Sequence, residues 1–232
     1  MKELAYVSLK LPSNGKLDYV DSVEIRSLTG ADEERLAEAA SEAFLITLHE
    51  ILANTIKGVN FNTLSLGDMQ QIKVWHASHS FDDAYTAELA CSMCDKTFLH
   101  EYRLSDFGMT LLEQEVPDSY KLLLSNGENV FINLLRVTDY IANLKRKAAG
   151  ESCYLHLIAA SLTNTQRDIE ERIEYLRSLN RKDVALIAAH QSTHTHGPNL
   201  MSSCACTHCG AIWNFTAPFR FEELFTFDLL AG

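Results

Sequence analysis

Two pairs of cysteines in this 232-residue chain have the spacing of metal knuckles. They are Cys91-x-x-Cys94 in "AELACSMCDKTFLHEY" and Cys206-x-x-Cys209 in "SSCACTHCGAIWNF". In the tight turn of such a knuckle, backbone N–H groups point at the sulfurs, and the residue after the second cysteine takes the positive φ that glycine tolerates best. Gly210 holds that place in the second pair and Asp95 in the first. Strand-like sequence flanks both pairs, which is the grammar of a zinc ribbon. A redox CxxC sits instead at a helix N-terminus, where the dipole lowers the thiol pKa. The expected chemistry is a closed structural Zn²⁺ site of four thiolates, from Cys91, Cys94, Cys206 and Cys209.

The departure from a compact ribbon is distance along the chain. Residues 95–205 separate the two pairs, where compact ribbons use about 15–20 residues. Lengthening a loop from about 17 to about 112 residues adds only about 1.7 kcal/mol of closure cost. Structural zinc supplies about 10–16 kcal/mol of apparent binding energy in small peptides, so the long loop does not forbid the site. The intervening chain must be a folded insertion that returns to its start. The run "CACTHC" also offers Cys204 as a ligand; the x-x spacing favours Cys206 and leaves Cys204 as a buried or spare thiol. Cys153, in "ESCYLHLIAA", reads as a small apolar residue on a packed face.

The elements that must position the pairs are read from periodicity and turn chemistry. "LAYVSLKL" and "YVDSVEIRSL" alternate apolar and polar residues around Pro12-Ser13-Asn14-Gly15, a hairpin pattern. Thr29-x-x-Asp32 predicts a capped start to one long helix, "ADEERLAEAASEAFLITLHEILANTIKG", ended by Gly58. Ser65-x-x-Asp68 starts a second, "LGDMQQIKVWHASHS", in which Trp75, His76 and His79 are packing residues. Strands are expected before Cys91 and along "KTFLHEYRL", then a hairpin in "YKLLLSNGENVFINLLRV" with Asn126-Gly127 as a primed turn. Helices are expected next from Thr138 to Ser161 with a break near Gly150, at Ile169, Ile173 and Leu176, and after Asn180-x-x-Asp183. Strands are then expected only at the end, in "AIWNFTAP" and "FRFEELFTF".

The class is α+β, with β-hairpins and several helices around a four-cysteine zinc-ribbon-like module built from two distant knuckles. One domain is expected over 1–232, with the module drawn from about 81–107 and 201–217 and 108–200 as the folded insertion.

Other candidate chemistry is thin. "AHQSTHTHGPN" holds His190, His194 and His196, and the first two are four apart, as in helical zinc pairs. The glutamate of an HExxH motif is absent, Gln191 standing in its place, and Gly197-Pro198 ends the helix, so solvent-facing histidines at a helix end are expected. A metal-dependent enzyme using these three histidines ranks third among the functional readings. There is no GxSxG, P-loop, GxGxxG or recognisable carboxylate pair, and no catalytic residue is assigned.

Bulk charge narrows the partners. The formal net charge is −11, with one short basic run at Lys145-Arg146-Lys147 that reads as a helix end. Nucleic-acid affinity is dominated by attraction of phosphates to basic surface, so no nucleic acid is expected. A zinc-ribbon nucleic-acid or transcription-type module is therefore the second-ranked reading. No window reaches the roughly 18 apolar residues of a membrane span, and the start does not read as a secretory signal. A reducing compartment is expected, where six cysteines point to metal before disulfides.

Certain stretches resemble a known family. "LPSNGKLDY…VEIRSLTGADEERLAEA", the "SLGDMQQIKVWHASHS…Y…CSMC" block, "LNRKDVALIAAH…GPNLMSSCACTHCG" and the closing "FEELFTF" are similar to the small baseplate hub-assembly proteins of contractile-tailed (myovirus-type) bacteriophages. The most specific parts are "LPSNGK" with "IRSLTG", and the "GPNLMSSCACTHCG" end. The resemblance implies a non-enzymatic role, structural CxxC pairs, and partners among other tail and baseplate hub proteins. It also implies synthesis in the host cytoplasm, then either a place in the virion tail baseplate or release as a chaperone. Asp95 and the doubled "CAC" depart from the family's tidy pattern. Phe219, Phe221, Phe225 and Phe227 alternate in part along the tail, an apolar edge to be covered by the ribbon or by a partner.

Overall fold

The computed structural model describes residues 5–41, 43–81, 83–163, 166–190 and 196–219. Alternation places Leu9, Val23 and Ile25 on the buried face of an antiparallel pair, β1 (Val7–Lys10) and β2 (Ser22–Ile25), with Val7 opposite Ile25. Asn14 and Gly15 both adopt positive φ in the connection. A two-residue strand, β3 (Ile56–Lys57), adds to the far edge of β2.

The expected long helix is two helices, α1 (Gly30–Ala37) and α2 (Phe44–Thr55). No glycine or proline lies between them, so local propensity does not cause the break. At about 100° per residue, a straight helix would turn Leu36 about 120° away from Leu48. Both are buried, at 1% and 0% exposure, and bending the chain lets both face one core. Tertiary burial here overrides propensity. The last residues of the expected helix leave it as β3, and Gly58, at φ 93°, comes directly after that strand. The Thr29–Asp32 capping box is present, and Arg26 pairs with Asp32 at 2.8 Å.

Helix α3 (Leu66–Ser80) runs between the bounds its caps predict, with Ser65 Oγ accepting the Asp68 N–H at 3.1 Å. It is the organising helix of the main core. Met69, Ile72, Val74, Trp75 and Ala77 are buried against β1, β2 and α2. Asp68 is fully buried, and its carboxylate accepts the Ser13 N–H (2.8 Å) and the Tyr19 hydroxyl. Burial, then the Asp68 carboxylate beside it, push the Tyr19 phenol up, so it stays a donor.

Hairpin β4 (Ala84–Ala90) and β5 (Thr97–Arg103) carries the first knuckle at its tip. A second core lies beyond it. Strands β7 (Tyr120–Leu123), β8 (Asn129–Ile132) and β9 (Leu162–Thr163) form a sheet that packs with α5 (Tyr154–Ser161), α6 (Ile169–Ser178) and α7 (Arg181–His190). Helix α4 (Val137–Ala148) links the cores, with Val137 in the first and the Lys145–Lys147 run in its last turn. The β7–β8 turn is not primed. Asn126 keeps a negative φ, the Gly127 N–H reaches Leu124 O at 3.0 Å, and Gly127 alone is left-handed at φ 83°. This is a type I turn with a glycine bulge.

Strands are also not confined to the end of the chain after the second hairpin. Besides β9, β6 (Gly108–Thr110) pairs antiparallel with β10 (Gly197–Asn199), and β11 (Met201–Ala205) pairs with β12 (Ile212–Thr216). Ladders of two or three residues are too short to show a period. "FRFEELFTF" lies outside the described residues after Phe219.

Histidine 76 ties α3 to α2 while fully buried, its Nε2–H donating to Thr55 Oγ1 at 2.9 Å. Burial, with the Arg26 charge nearby, pushes its pKa down to about 3. Below the unfolded value of about 6.5, the unfolded chain therefore takes up a proton that the folded chain refuses. Stability contributed by this group is full above pH 6.5 and falls as pH drops toward 3. We expect a loss of about 2 kcal/mol between pH 7.5 and 5 from His76, read as a falling urea midpoint, and a shallower slope in His76→Gln.

Candidate metal centre

Each knuckle is built by its own backbone. In the first, the Cys91 N–H donates to Lys96 O (3.0 Å), the Asp95 N–H to Cys91 O (2.8 Å), and the Met93 N–H to Cys91 Sγ (3.4 Å). The second repeats this pattern: the Cys206 N–H donates to Ala211 O (2.8 Å), the Gly210 N–H to Cys206 O (2.9 Å), and the His208 N–H to Cys206 Sγ (3.4 Å). Asp95 and Gly210 have left-handed φ of 56° and 73°. The same turn thus accepts an aspartate in one copy and a glycine in the other.

The two knuckles meet. Cys91 Sγ lies 3.7 Å from Cys209 Sγ, and Cys94 Sγ lies 3.7 Å from Cys206 Sγ. All four sulfurs fall within 4.8 Å of one another. A tetrahedral ion with metal–sulfur bonds of about 2.3 Å holds its ligands about 3.8 Å apart, so these separations fit a four-thiolate ion and exceed a disulfide bond. All four cysteines are unbridged; Cys91 and Cys206 are buried, Cys94 is half-buried and Cys209 exposed. Such a group could hold a metal ion, and among the described residues it is the one cluster of three or more candidate ligands.

Charge is shared unevenly across the sulfurs. Burial works to raise the Cys206 thiol, but N–H donation from Cys209 and His208 and hydrogen bonds from the Cys209 and Cys91 thiols outweigh it, drawing the pKa down to about 6. The Lys96 N–H draws Cys94 down, yet burial and its thiol bonds to Cys209, Cys91 and Cys206 carry it up to about 12. Negative charge on any of the four sulfurs disfavours it on the others, and a cation held among them would offset that repulsion.

The hairpins behind the knuckles are clamped by aromatic rings. Phe98 meets Trp213 edge-on at 5.9 Å, and His100 meets Phe215 at 5.6 Å. His208 Nε2–H reaches Thr97 O across the two knuckles at 3.2 Å, a cross-brace that no spacing rule reveals. Cys204 stands outside the four-sulfur group. It lies opposite Trp213 in the β11–β12 ladder, 5% exposed and packed with Cys91 and Phe98.

The histidines of "AHQSTHTHGPN" go elsewhere. His190 packs edge-on against Tyr120 at 4.6 Å. His196 is not a solvent-facing helix end: its Nε2 lies 2.5 Å from Ser65 Oγ, at the cap of α3. His194 lies outside the described residues. Gly67 makes the approach of His196 possible, since a Cβ there would come within 2.2 Å of His196 O. Trp75 and His79 stack at 4.3 Å as packing residues.

A family model described as T4 bacteriophage base plate protein matches residues 4–226. No curated protein and no solved structure matches the chain.

The equivalence of the knuckles predicts asymmetric tolerance at two positions. Asp95→Gly and Gly210→Asp should each change stability by less than about 1 kcal/mol, because glycine and aspartate both visit the left-handed region. Gly210→Val, β-branched at φ 73°, should cost about 1–2 kcal/mol. Urea denaturation of the three variants checks the ranking.

Proposed function

This chain belongs to the T4 bacteriophage base plate protein family, and from that premise we propose that it is a non-enzymatic component or assembly chaperone of the baseplate hub, braced by one structural zinc ion. The family match carries the assembly reading, because it runs across both knuckles and everything between them. The proposed ligands are Cys91, Cys94, Cys206 and Cys209, and the sulfur separations near a tetrahedral edge support them. A d¹⁰ ion with four thiolates and no open position fixes geometry and does no chemistry on a substrate. In this reading the module spans about 81–107 and 201–217 within one domain, and 108–200 is an insertion whose two ends are paired through β6 and β10.

The partners are other tail and baseplate hub proteins, met in the host cytoplasm during assembly. Nucleic acid is not among them: the net charge of −11 repels phosphates, and four thiolates on a divalent ion add a further net −2. No described helix is long and apolar enough to cross a membrane.

The purified protein should carry one zinc per chain by elemental analysis. Cys94→Ser should lower metal content and solubility together, since metal-binding free energy is folding free energy; protein free of zinc would overturn the assignment. Affinity capture from infected cells should recover baseplate or tail-hub subunits, unchanged by nuclease treatment. Mass spectrometry of finished virions separates the two fates, a component being present there and a chaperone absent. Capture dominated by nucleic-acid enzymes would favour the ribbon-module alternative instead.

A further inference from the structure

Two buried nitrogens beside the second core have no hydrogen-bond partner among the described residues, Nε of Arg146 and Nδ1 of His156. Buried polar atoms are almost always paired, so two orphans side by side call for an occupant. Both side chains line one cavity of about 340 Å³, bounded by the end of α4, the start of α5 and one face of α6. Glu151, Tyr154, Leu155 and Ile173 stand on its walls.

The chemistry of the orphans narrows the occupant. Arg146 keeps its charge, and its two terminal nitrogens already hold Glu170 at 2.5 Å and Glu151 at 3.0 Å. Its Nε–H is therefore a donor in want of an acceptor. His156 is 6% exposed, and burial, then the Arg146 charge, hold its pKa below the ordinary histidine value, so the ring is neutral near pH 7. An anion would satisfy Arg146 but would meet the carboxylates of Glu151, Glu170 and Asp139, which all act on His156. A cation would leave the Arg146 donor unmet and face the Arg177 guanidinium on the cavity wall. Neutral hydroxyl groups avoid both penalties. Each accepts a bond from Arg146 through a lone pair and can donate its own hydrogen to Glu151 or to the imidazole.

The walls suit a ring that carries such hydroxyls. A cavity of about 150 Å³ accepts one benzene ring, so this one has room for a six-membered ring together with its substituents. Leu155 and Ile173 supply apolar wall. Tyr154, the first residue of α5, is 77% exposed, and its ring presents a flat apolar face with a polar tip. We propose that this cavity binds one pyranose ring of a neutral sugar. Neighbouring hydroxyls of the ring meet Arg146 Nε–H, His156 Nδ1 and Glu151, and its C–H face packs on Tyr154. The inference depends on neither the metal nor the assembly reading, so its failure leaves both standing.

The test is saturation-transfer NMR on the full chain with glucose, galactose, mannose and N-acetylglucosamine, each as the free sugar and as the methyl glycoside. Acetate, inorganic phosphate and acetamide are the comparison probes. We expect transfer to the ring protons of at least one sugar, a dissociation constant on the order of millimolar, and a moved ¹⁵N resonance of His156 Nδ1. Tyr154→Ala, at an exposed position, should weaken binding about tenfold and keeps the test valid should His156→Gln fail to fold. Methyl glycosides that bind as tightly as the free sugars mark the end residue of a glycan as the ligand, and binding of free sugars alone marks a monosaccharide. No transfer from any sugar, binding unchanged in Tyr154→Ala, or a His156 shift caused only by the comparison probes would each overturn the proposal.

Discussion

Two short turns, made far apart on the chain, must arrive with their sulfurs within 4.8 Å of one another, and much of the fold is arranged around that meeting. Each turn is locally cheap, since three backbone hydrogen bonds and one left-handed residue define it. Their encounter is the costly part. The chain leaves the first hairpin after Arg103 and returns through β10 only at Gly197. It holds the two passing segments together as β6 and β10 before entering β11. The returning segment is then fastened to α3, where Ser65 meets His196 and Gly67 leaves room for its backbone.

Helix α3 is consequently more than a core helix. Its first turn holds a cluster of buried polar groups: Ser65 caps the helix, while Asp68 takes the Ser13 N–H of the first hairpin loop and the Tyr19 hydroxyl. Tyr19 in turn accepts the Ser65 N–H at 3.0 Å. These hydrogen bonds are spread over residues from 13 to 196, so one helix end ties the first hairpin, the main core and the ribbon's returning strand together.

The features legible in the sequence are those that chemistry confines to a few residues. Ser65 and Asp68 set the start of α3, Thr29 and Asp32 that of α1, and the x-x spacing with Asp95 and Gly210 marks both knuckles. The bend between α1 and α2 is not legible, because its cause is the joint burial of Leu36 and Leu48 and not any local breaker. Strands β6, β9 and β10 escape a sequence reading because two or three residues carry no periodicity. Asn126-Gly127 is recognisable as a turn, but the choice between primed and bulged forms rests on the φ of Asn126. The place of His196 is hidden because its partner, Ser65, is 131 positions away.

The separation of the two knuckles also has a meaning in time. At a synthesis rate of about 5–20 residues per second, roughly 6 to 22 seconds pass between emergence of Cys94 and emergence of Cys206 from the ribosome. Throughout that interval the first turn can fold, because its hydrogen bonds are local, but it presents two thiols with no opposing pair. The later half of the site is made only after the second core has been translated. A nascent chain therefore carries one knuckle without the other through nearly half of its synthesis, and the meeting of the two reports that the intervening chain has been made and brought back.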